Sequence, residues 1–503
     1  MLSRTSLHSY TITKNSNRLF NSFNRIFSQN VVTLLKNNNN NNNINNINSN
    51  IRSYGSSTTT TKPVVIGQPT HETHPHLLDK GEVIKGIKLE EFKERRRLLA
   101  ETLPVGSIAL IMTPPEPMMS YDIPYHFRQH TNFYYFTGLN EPEAILVIEK
   151  TSDTQYKTSI YLREKIPERE IWDGPRCGFE NVTKLFGVDF GYPLTQLDQL
   201  KETIGKYKQV LLNKVEWSKV FEKLGNLQYY DLERYLQQMR LVKSQAEIKM
   251  MKQSGDIAGD SFKECMKYIR PNMNEQELGA YFEFSIKKRG AQRMSYPPVV
   301  AGGNNANTIH YISNNMLLKD GDLCLMDAGA EYWGFTSDIT RTYPVNGRFS
   351  QAQREIYEAV LDVNKRCIEL VKPGASINSI HEQSVLMITE HLQRLGILPS
   401  GKTVSSLARS GVYHKYYPHC IGHYLGMDTH DCIDISYGET LTEGMIITIE
   451  PGIYIDANDM SVDEKYRGIA IRVEDDVAIV NGKPFVLTSR APKEISEIES
   501  LQK

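Results

Sequence analysis

Five side chains in this sequence have the types that hold divalent cations: Asp327, Asp338, His423, Glu450 and Glu474. Each carboxylate lies in or at the end of an apolar, β-branched stretch. An ionised carboxylate in such a stretch is costly unless it is paired, hydrogen-bonded or bound to a metal. Four carboxylates and one imidazole make a ligand set for two hard or borderline divalent ions, because carboxylates can bridge and the imidazole completes one site. A two-metal centre, with ions about 3.5–4 Å apart, activates a water and polarises a carbonyl. Singly, each residue has a plainer role open to it. His423 could be a hydrogen-bonded core histidine, Glu474 a partner for Arg472, Glu450 a turn residue before Pro451-Gly452, and the two aspartates a turn and a cap. Their joint occurrence carries the metal reading.

The elements that must position these residues are strands at 298–302, 322–329, 335–343, 444–449 and 468–480,. Residues 323–343 read as two adjacent strands joined by a Gly-containing turn, with Asp327 on one and Asp338 on the other. Helices start at Ser244-x-x-Glu247, Asn274-x-x-Glu277 and Ser350-x-x-Gln353, and a fourth spans 378–395 with Gly396 as its C-cap,. Helices and strands in blocks predict an α+β catalytic domain over 241–495. Before it, a helix at 89–103 and strand-like runs at 107–112, 133–136, 144–149, 159–162 and 209–212 predict a smaller α/β domain over 80–240.

Composition narrows the function. The chain has 503 residues, a formal net charge of −1, 40% hydrophobic and 23% charged residues, so a core is available and no basic excess suggests a nucleic-acid surface,. No apolar stretch is long enough to span a membrane. Six cysteines without a CxxC pair suit a reducing compartment,. Cys420 and Cys432 lie near His419, His423 and His430, but their spacing lacks the close ligand pair of a zinc finger. Residues 1–71 contain no Asp or Glu, and Leu19, Phe20, Phe23, Ile26 and Phe27 share one helical face among Arg18 and Arg25. That pattern predicts a mitochondrial transit peptide over 1–71, which includes an Asn-rich low-complexity stretch at Asn37–Asn43, with matrix location and a cut near residue 54,.

Beyond these readings, the sequence resembles the pita-bread metallopeptidase family of aminopeptidase P, prolidase and methionine aminopeptidase. The likeness is greatest to the mitochondrial type of Xaa-Pro aminopeptidase. It is carried by MDAGAEYWGFTSDITRTYPVNG, HCIGHYLGMDTHD, TIEPGIYI and IRVEDD, in that order, and by RQHTNFYYFTGLNEPEA (128–144) and EIWDG (170–174). Cys420 is the one small departure, where Gly is usual.

The resemblance implies a pita-bread catalytic domain with two divalent ions, Mn2+ by analogy. Asp327 would bind one ion, Asp338 and Glu474 would bridge, and His423 and Glu450 would hold the other. Glu450 would serve as base and proton shuttle. His310 would contact substrate at the scissile peptide, His430 would stabilise the oxyanion, and His419 would belong to the proline-selective pocket. Arg472 and Tyr454 would orient the ligands, and Asp122 and Trp172 would reach a neighbouring subunit's cleft in a homodimer or larger homo-oligomer. The implied substrates are peptide or protein N-termini with proline second. Relatives in mitochondria also trim one residue from imported proteins after presequence removal, without needing proline. A prolidase and a non-catalytic binding module of the same fold are the alternatives.

Overall fold

The computed structural model describes residues 63–502 apart from 214, 216, 226 and 227. The expected transit peptide and Asn-rich stretch lie outside the described residues, save for the segment from residue 63. Among the described residues no helix is long and apolar enough to cross a membrane.

The first part of the chain is an α/β layer. Its sheet contains β1 (Ser107–Met112), β2 (Ile145–Lys150), β3 (Tyr156–Leu162), β4 (Phe190–Pro193), β5 (Gln209–Leu212) and β6 (Tyr230–Asp231), in the order β6-β5-β1-β2-β3-β4. All six residues of β1 are buried. Burial on both faces explains why this strand reads as a continuous apolar run without alternation. Helix α1 (Leu89–Thr102) and helix α2 (Thr131–Thr137) pack together beside the sheet.

Helix α2 corrects an expectation, since 133–136 reads as a strand. Aromatics at consecutive positions suit a buried helix as well as a strand, and tertiary contacts decide. Gly138 ends the helix with φ 70°, a left-handed conformation that glycine adopts readily. Two buried arginines of α1 satisfy its last carbonyls: Arg95 donates to Tyr135 O at 2.9 Å and Arg96 to Phe136 O at 2.6 Å.

Helix α3 (Glu233–Leu241) leads into the second part of the chain. There α4 (Gln245–Tyr268) starts at Ser244, whose hydroxyl and the Glu247 side chain form a reciprocal capping box,. Helix α5 (Glu275–Lys288) follows with Asn274 as its cap. Strands β7 (Val299–Gly302), β8 (Leu323–Ala328) and, after a short hairpin at 330–336, β9 (Ile339–Pro344) form an antiparallel sheet in the order β7-β8-β9. The expected single strand at 335–343 is therefore interrupted at 337–338, which frees Asp338 from the ladder. In the register, Asp327 faces Thr340.

Helix α6 (Gln351–Glu369) packs against the strands at 446–454 and 470–472, and α7 (Ile377–Arg394) packs against α6. Both have capping boxes, and Ile356, Val360, Val363 and Cys367 of α6 are buried in one large core. Strands β10 (Ile446–Ile449), β11 (Gly452–Tyr454), β12 (Ala470–Arg472) and β13 (Asp475–Val480) complete the frame, with β10 antiparallel to β13 and β11 antiparallel to β12. Helices thus cover an antiparallel, twice-broken strand system, which is the pita-bread arrangement expected of the second part.

Candidate metal centre

Three polypeptide crossings bring the five expected ligand residues together. The first is β8 against β9. Gly329, just past Asp327, lies so close to residue 337 that a Cβ would sit 1.8 Å from Ser337 O; Gly422 meets Thr448 O at 1.9 Å in the same way. Any side chain at either position would force the strands carrying the site apart. The second crossing joins β12 and β13 to β9: Glu474 N donates to Thr340 O at 3.0 Å, and Thr340 Oγ1 donates to Glu474 Oε2 at 2.6 Å. The third sets residues 421–424 along β10. Glu450 N donates to Ile421 O at 2.8 Å and Thr448 N to His423 O at 2.9 Å. The Thr448 hydroxyl accepts from His423 N at 3.1 Å and donates to Glu450 Oε1 at 3.3 Å.

His423 Nδ1 lies 3.0 Å from Tyr424 O. A carbonyl only accepts, so Nδ1 donates to it, and Nε2 faces the carboxylates, where a cation can take the place of its proton. Nε2 is 3.4 Å from Asp338 Oδ2 and 3.7 Å from Glu450 Oε1. Donor atoms of Asp338, His423 and Glu474 all lie within 4.8 Å of one another. Asp338, His423 and Glu474 are buried, while Asp327 and Glu450 are partly buried.

Electrostatics tests whether these residues suit cations. Burial pushes Glu474 well above the usual carboxylate range, and the charges of Asp338, Glu450 and Asp327 add to it. Burial also raises Asp327, and raises Glu450 to about 7 against the opposing charges of His423 and Arg472. Asp338 is held low despite its burial, through the hydrogen bond and charge of His423. His423 in turn is raised to about 9 by Asp338 and Glu450, which outweigh its burial. Four carboxylates thus face two cationic side chains. Hard oxygen donors in excess, with one imidazole nitrogen aimed among them, fit a pair of divalent ions.

Around the cluster, Arg472 Nη2 binds Asp327 Oδ2 at 2.5 Å, Arg472 Nε donates to Thr340 Oγ1 at 2.9 Å, and Arg472 Nη1 donates to the Tyr454 hydroxyl at 2.9 Å. The Tyr454 hydroxyl also pairs with His419 Nε2 at 2.9 Å. His419 Nδ1 donates to Cys420 O at 2.8 Å. Both ring nitrogens of His419 are therefore engaged, leaving its ring face and edge for a ligand. Burial and the Arg472 charge lower His419 to about 4, so it is neutral at ordinary pH.

His430 stacks edge-on against His423, ring centroids 4.5 Å apart, and is itself exposed. His310 is exposed on the loop after β7. Its position is set from below by Glu275, a fully buried carboxylate. Glu275 Oε1 accepts from Gly302 N and Asn305 Nδ2, each at 2.9 Å, and Oε2 accepts from the Tyr311 hydroxyl at 2.8 Å and Met316 N at 3.0 Å. Asp122 and Trp172 are exposed, Trp172 to 82%, and make no contact with the cluster among the described residues.

Tyr296 was not among the expected site residues. Its buried hydroxyl donates to Asp327 Oδ1 at 2.6 Å and also bonds Asp338. The sequence signal is faint: one tyrosine before Pro297-Pro298, at the start of a strand.

Comparison with known proteins adds a family. The model for metallopeptidase family M24 matches residues 249–481, and that for the aminopeptidase P N-terminal domain matches residues 92–212. The Xaa-Pro aminopeptidase 3 of Dictyostelium discoideum is 53% identical over 524 residues, covering 98% of each chain. The chain belongs to the M24 metallopeptidases, with an aminopeptidase P type N-terminal part. Another relative, the mitochondrial intermediate cleaving peptidase 55 of Arabidopsis thaliana, is 39% identical over 444 residues, 87% of each chain. Among solved structures, E. coli aminopeptidase P with the inhibitor Pro-Leu matches with a TM-score of 0.79 at 35% identity, over 82% of this chain and 98% of that one.

Proposed function

We propose that this chain is a dinuclear Xaa-Pro aminopeptidase that releases the first residue of peptides with proline second. The observation that supports it most is the convergence of Asp327, Asp338, His423, Glu450 and Glu474 beside two exposed histidines, in a chain whose relatives over nearly its full length are Xaa-Pro aminopeptidases. Those five residues would hold the ions, and the oxygen-rich donor set with one imidazole favours Mn2+. When bound, the ions supply a water acidified near neutral pH and a Lewis acid for the scissile carbonyl.

The chain's own residues do the rest. Glu450 takes the nucleophile's proton at Oε2, the oxygen not bonded to Thr448, and passes it to the departing proline nitrogen. His430 donates a hydrogen bond to the oxyanion as it develops. His310 lies by the scissile peptide. An Xaa-Pro bond has no N–H to hydrogen-bond, so the ring must be held by shape, and the His419 face packed on Tyr454 offers a wall for it. Asp122 and Trp172, exposed in one chain, would complete the cleft of a neighbour in a homo-oligomer. We place the domain division at about residue 241, ahead of the capped helix α4.

The Arabidopsis relative is named a mitochondrial intermediate cleaving peptidase, and we propose as a second activity the trimming of one residue from imported mitochondrial proteins, with residues 1–71 as the targeting segment. Activity on Xaa-Pro-Yaa, Xaa-Pro and Tyr-Ser-starting peptides separates the readings. Cleavage of Xaa-Pro-Yaa is expected. Cleavage of the dipeptide alone would establish a prolidase, and cleavage of the Tyr-Ser start alone would remove the proline requirement. A reporter fused to residues 1–71 should enter mitochondria; a cytosolic reporter would refute that location.

A further inference from the structure

The α/β part of the chain holds none of the five clustered ligand residues, yet it grips the segment that carries His430. His430 is exposed, makes no hydrogen bond among the described residues, and borders a cavity of about 370 Å³ lined in part by Arg128, Thr131, Arg240 and Asp428. A side chain beside open space is placed by its backbone, and here the backbone is held from outside the catalytic part. Arg128 Nη2 donates to Met427 O at 2.6 Å and to Asp428 Oδ1 at 3.2 Å. Thr131 Oγ1 donates to the same Asp428 Oδ1 at 2.5 Å. On the other side of His430, Arg240 Nη2 donates to Asp431 Oδ1 at 2.9 Å, from a guanidinium that is itself buried.

Further along, Gln237 receives Asp434 N at 2.8 Å and donates to Asp434 Oδ2 at 2.9 Å. Arg128 is braced in turn by Glu331 at 2.5 Å, on the hairpin between β8 and β9. Charge-assisted bonds of this kind are short and directional.

We propose that the N-terminal α/β part acts in the reaction by positioning His430, with Arg128, Thr131 and Arg240 as positioning residues. They fix Asp428, two residues before it, and Asp431, the residue after it, so that the imidazole stays aimed at the oxyanion. This rests on the reading of His430 as the oxyanion donor. Misplacement by a fraction of an ångström weakens such a donor steeply, because its hydrogen bond must form in the transition state.

The test uses the metal-loaded full-length enzyme and Thr131→Val, which keeps the shape and removes one hydroxyl. Thr131→Val should lower kcat about tenfold with KM changed less than about twofold. Metal content should be unchanged, and Thr131→Ser should restore the rate. In a His430→Ala background the same Thr131→Val change should alter kcat less than about twofold, because its target is gone. Arg128→Lys, which keeps the charge and loses the fork, should behave like Thr131→Val.

An equal loss in both backgrounds would show that Thr131 acts otherwise and overturn the proposal. Wild-type kcat in both Thr131→Val and Arg128→Lys, beside a defective His430→Ala, would overturn the positioning alone. A fully active His430→Ala would overturn the oxyanion reading and this inference with it.

Discussion

Arg341 on β9 and Asp475 on β13 form an ion pair at 2.7 Å with both side chains completely buried. Lys493 Nζ adds a second cation at 2.6 Å from Asp475 Oδ2, and Thr488 Oγ1 donates to Asp475 Oδ1 at 2.9 Å. Arg341 also donates to the backbone carbonyl of Glu474, so the pair fixes the strand junction from which Glu474 enters the site.

Asp475→Asn should therefore destabilise the fold by about 3–5 kcal/mol, the usual cost of leaving a buried charge without its partner. Burial works against the Asp475 charge, but Arg341 and Lys493 outweigh it and hold the carboxyl well below the usual range. A depressed folded-state pKa means stability present above the ordinary carboxylate value and lost as pH falls below it. Urea midpoints should accordingly fall more steeply below about pH 4 in the wild type than in Asp475→Asn. Equal midpoints at neutral pH would refute the account.

Removing metal with a chelator should abolish peptidase activity, and Mn2+ should restore it. Asp338→Asn and Glu474→Gln should each lose bound metal by elemental analysis. Glu450→Gln separates two roles. It keeps one coordinating oxygen and cannot accept a proton, so kcat should drop by far more than metal content does. Parallel loss of both would leave Glu450 a ligand only.

Tyr296→Phe deletes one hydroxyl from between Asp327 and Asp338. Partners that orient a ligand typically contribute about 10–100-fold in metal affinity or activity. We expect a loss in that range, read as a weaker metal titration at unchanged secondary structure. A titration that overlays the wild type would show the phenol to be a bystander.

Glu275→Gln breaks the four-point hold beneath His310, since an amide cannot accept from all four donors. Hydrogen exchange across 303–316 should accelerate, and kcat/KM should fall about tenfold or more. Tyr311→Phe removes one of the four bonds and should show the same change in smaller measure. Unchanged exchange in both variants would dissociate Glu275 from the loop.

Much of the frame was legible because its signals are local. The strand at 107–112 and the Ser244 and Ser350 capping boxes were readable from neighbouring residues, and the structure has all three. The cluster of acids and His423 was visible because a carboxylate in an apolar strand needs an explanation within its own segment. Other features depend on distant partners. Helix α2 needed Arg95 and Arg96, forty residues before their acceptors. Tyr296 meets Asp327 across 31 residues, and Arg128 meets Met427 across 299. A break at 337–338 within a run of strand-forming residues arises from the close approach at Gly329, which no short window contains.

The crossings that build the cluster also set when it can exist. Its residues come from segments up to 147 positions apart, Asp327 to Glu474. Contacts of such separation form late, because loop closure must be completed before they reward the chain. An unfolded or half-folded chain therefore presents only scattered single carboxylates and no bidding site for a cation pair. Loading must follow folding, and ions that bind only the finished shape hold it there by mass action. Metal supply thereby becomes a determinant of the protein's lifetime as well as of its rate, and refolding from denaturant should be as fast without ions as with them, while unfolding should be slower in their presence.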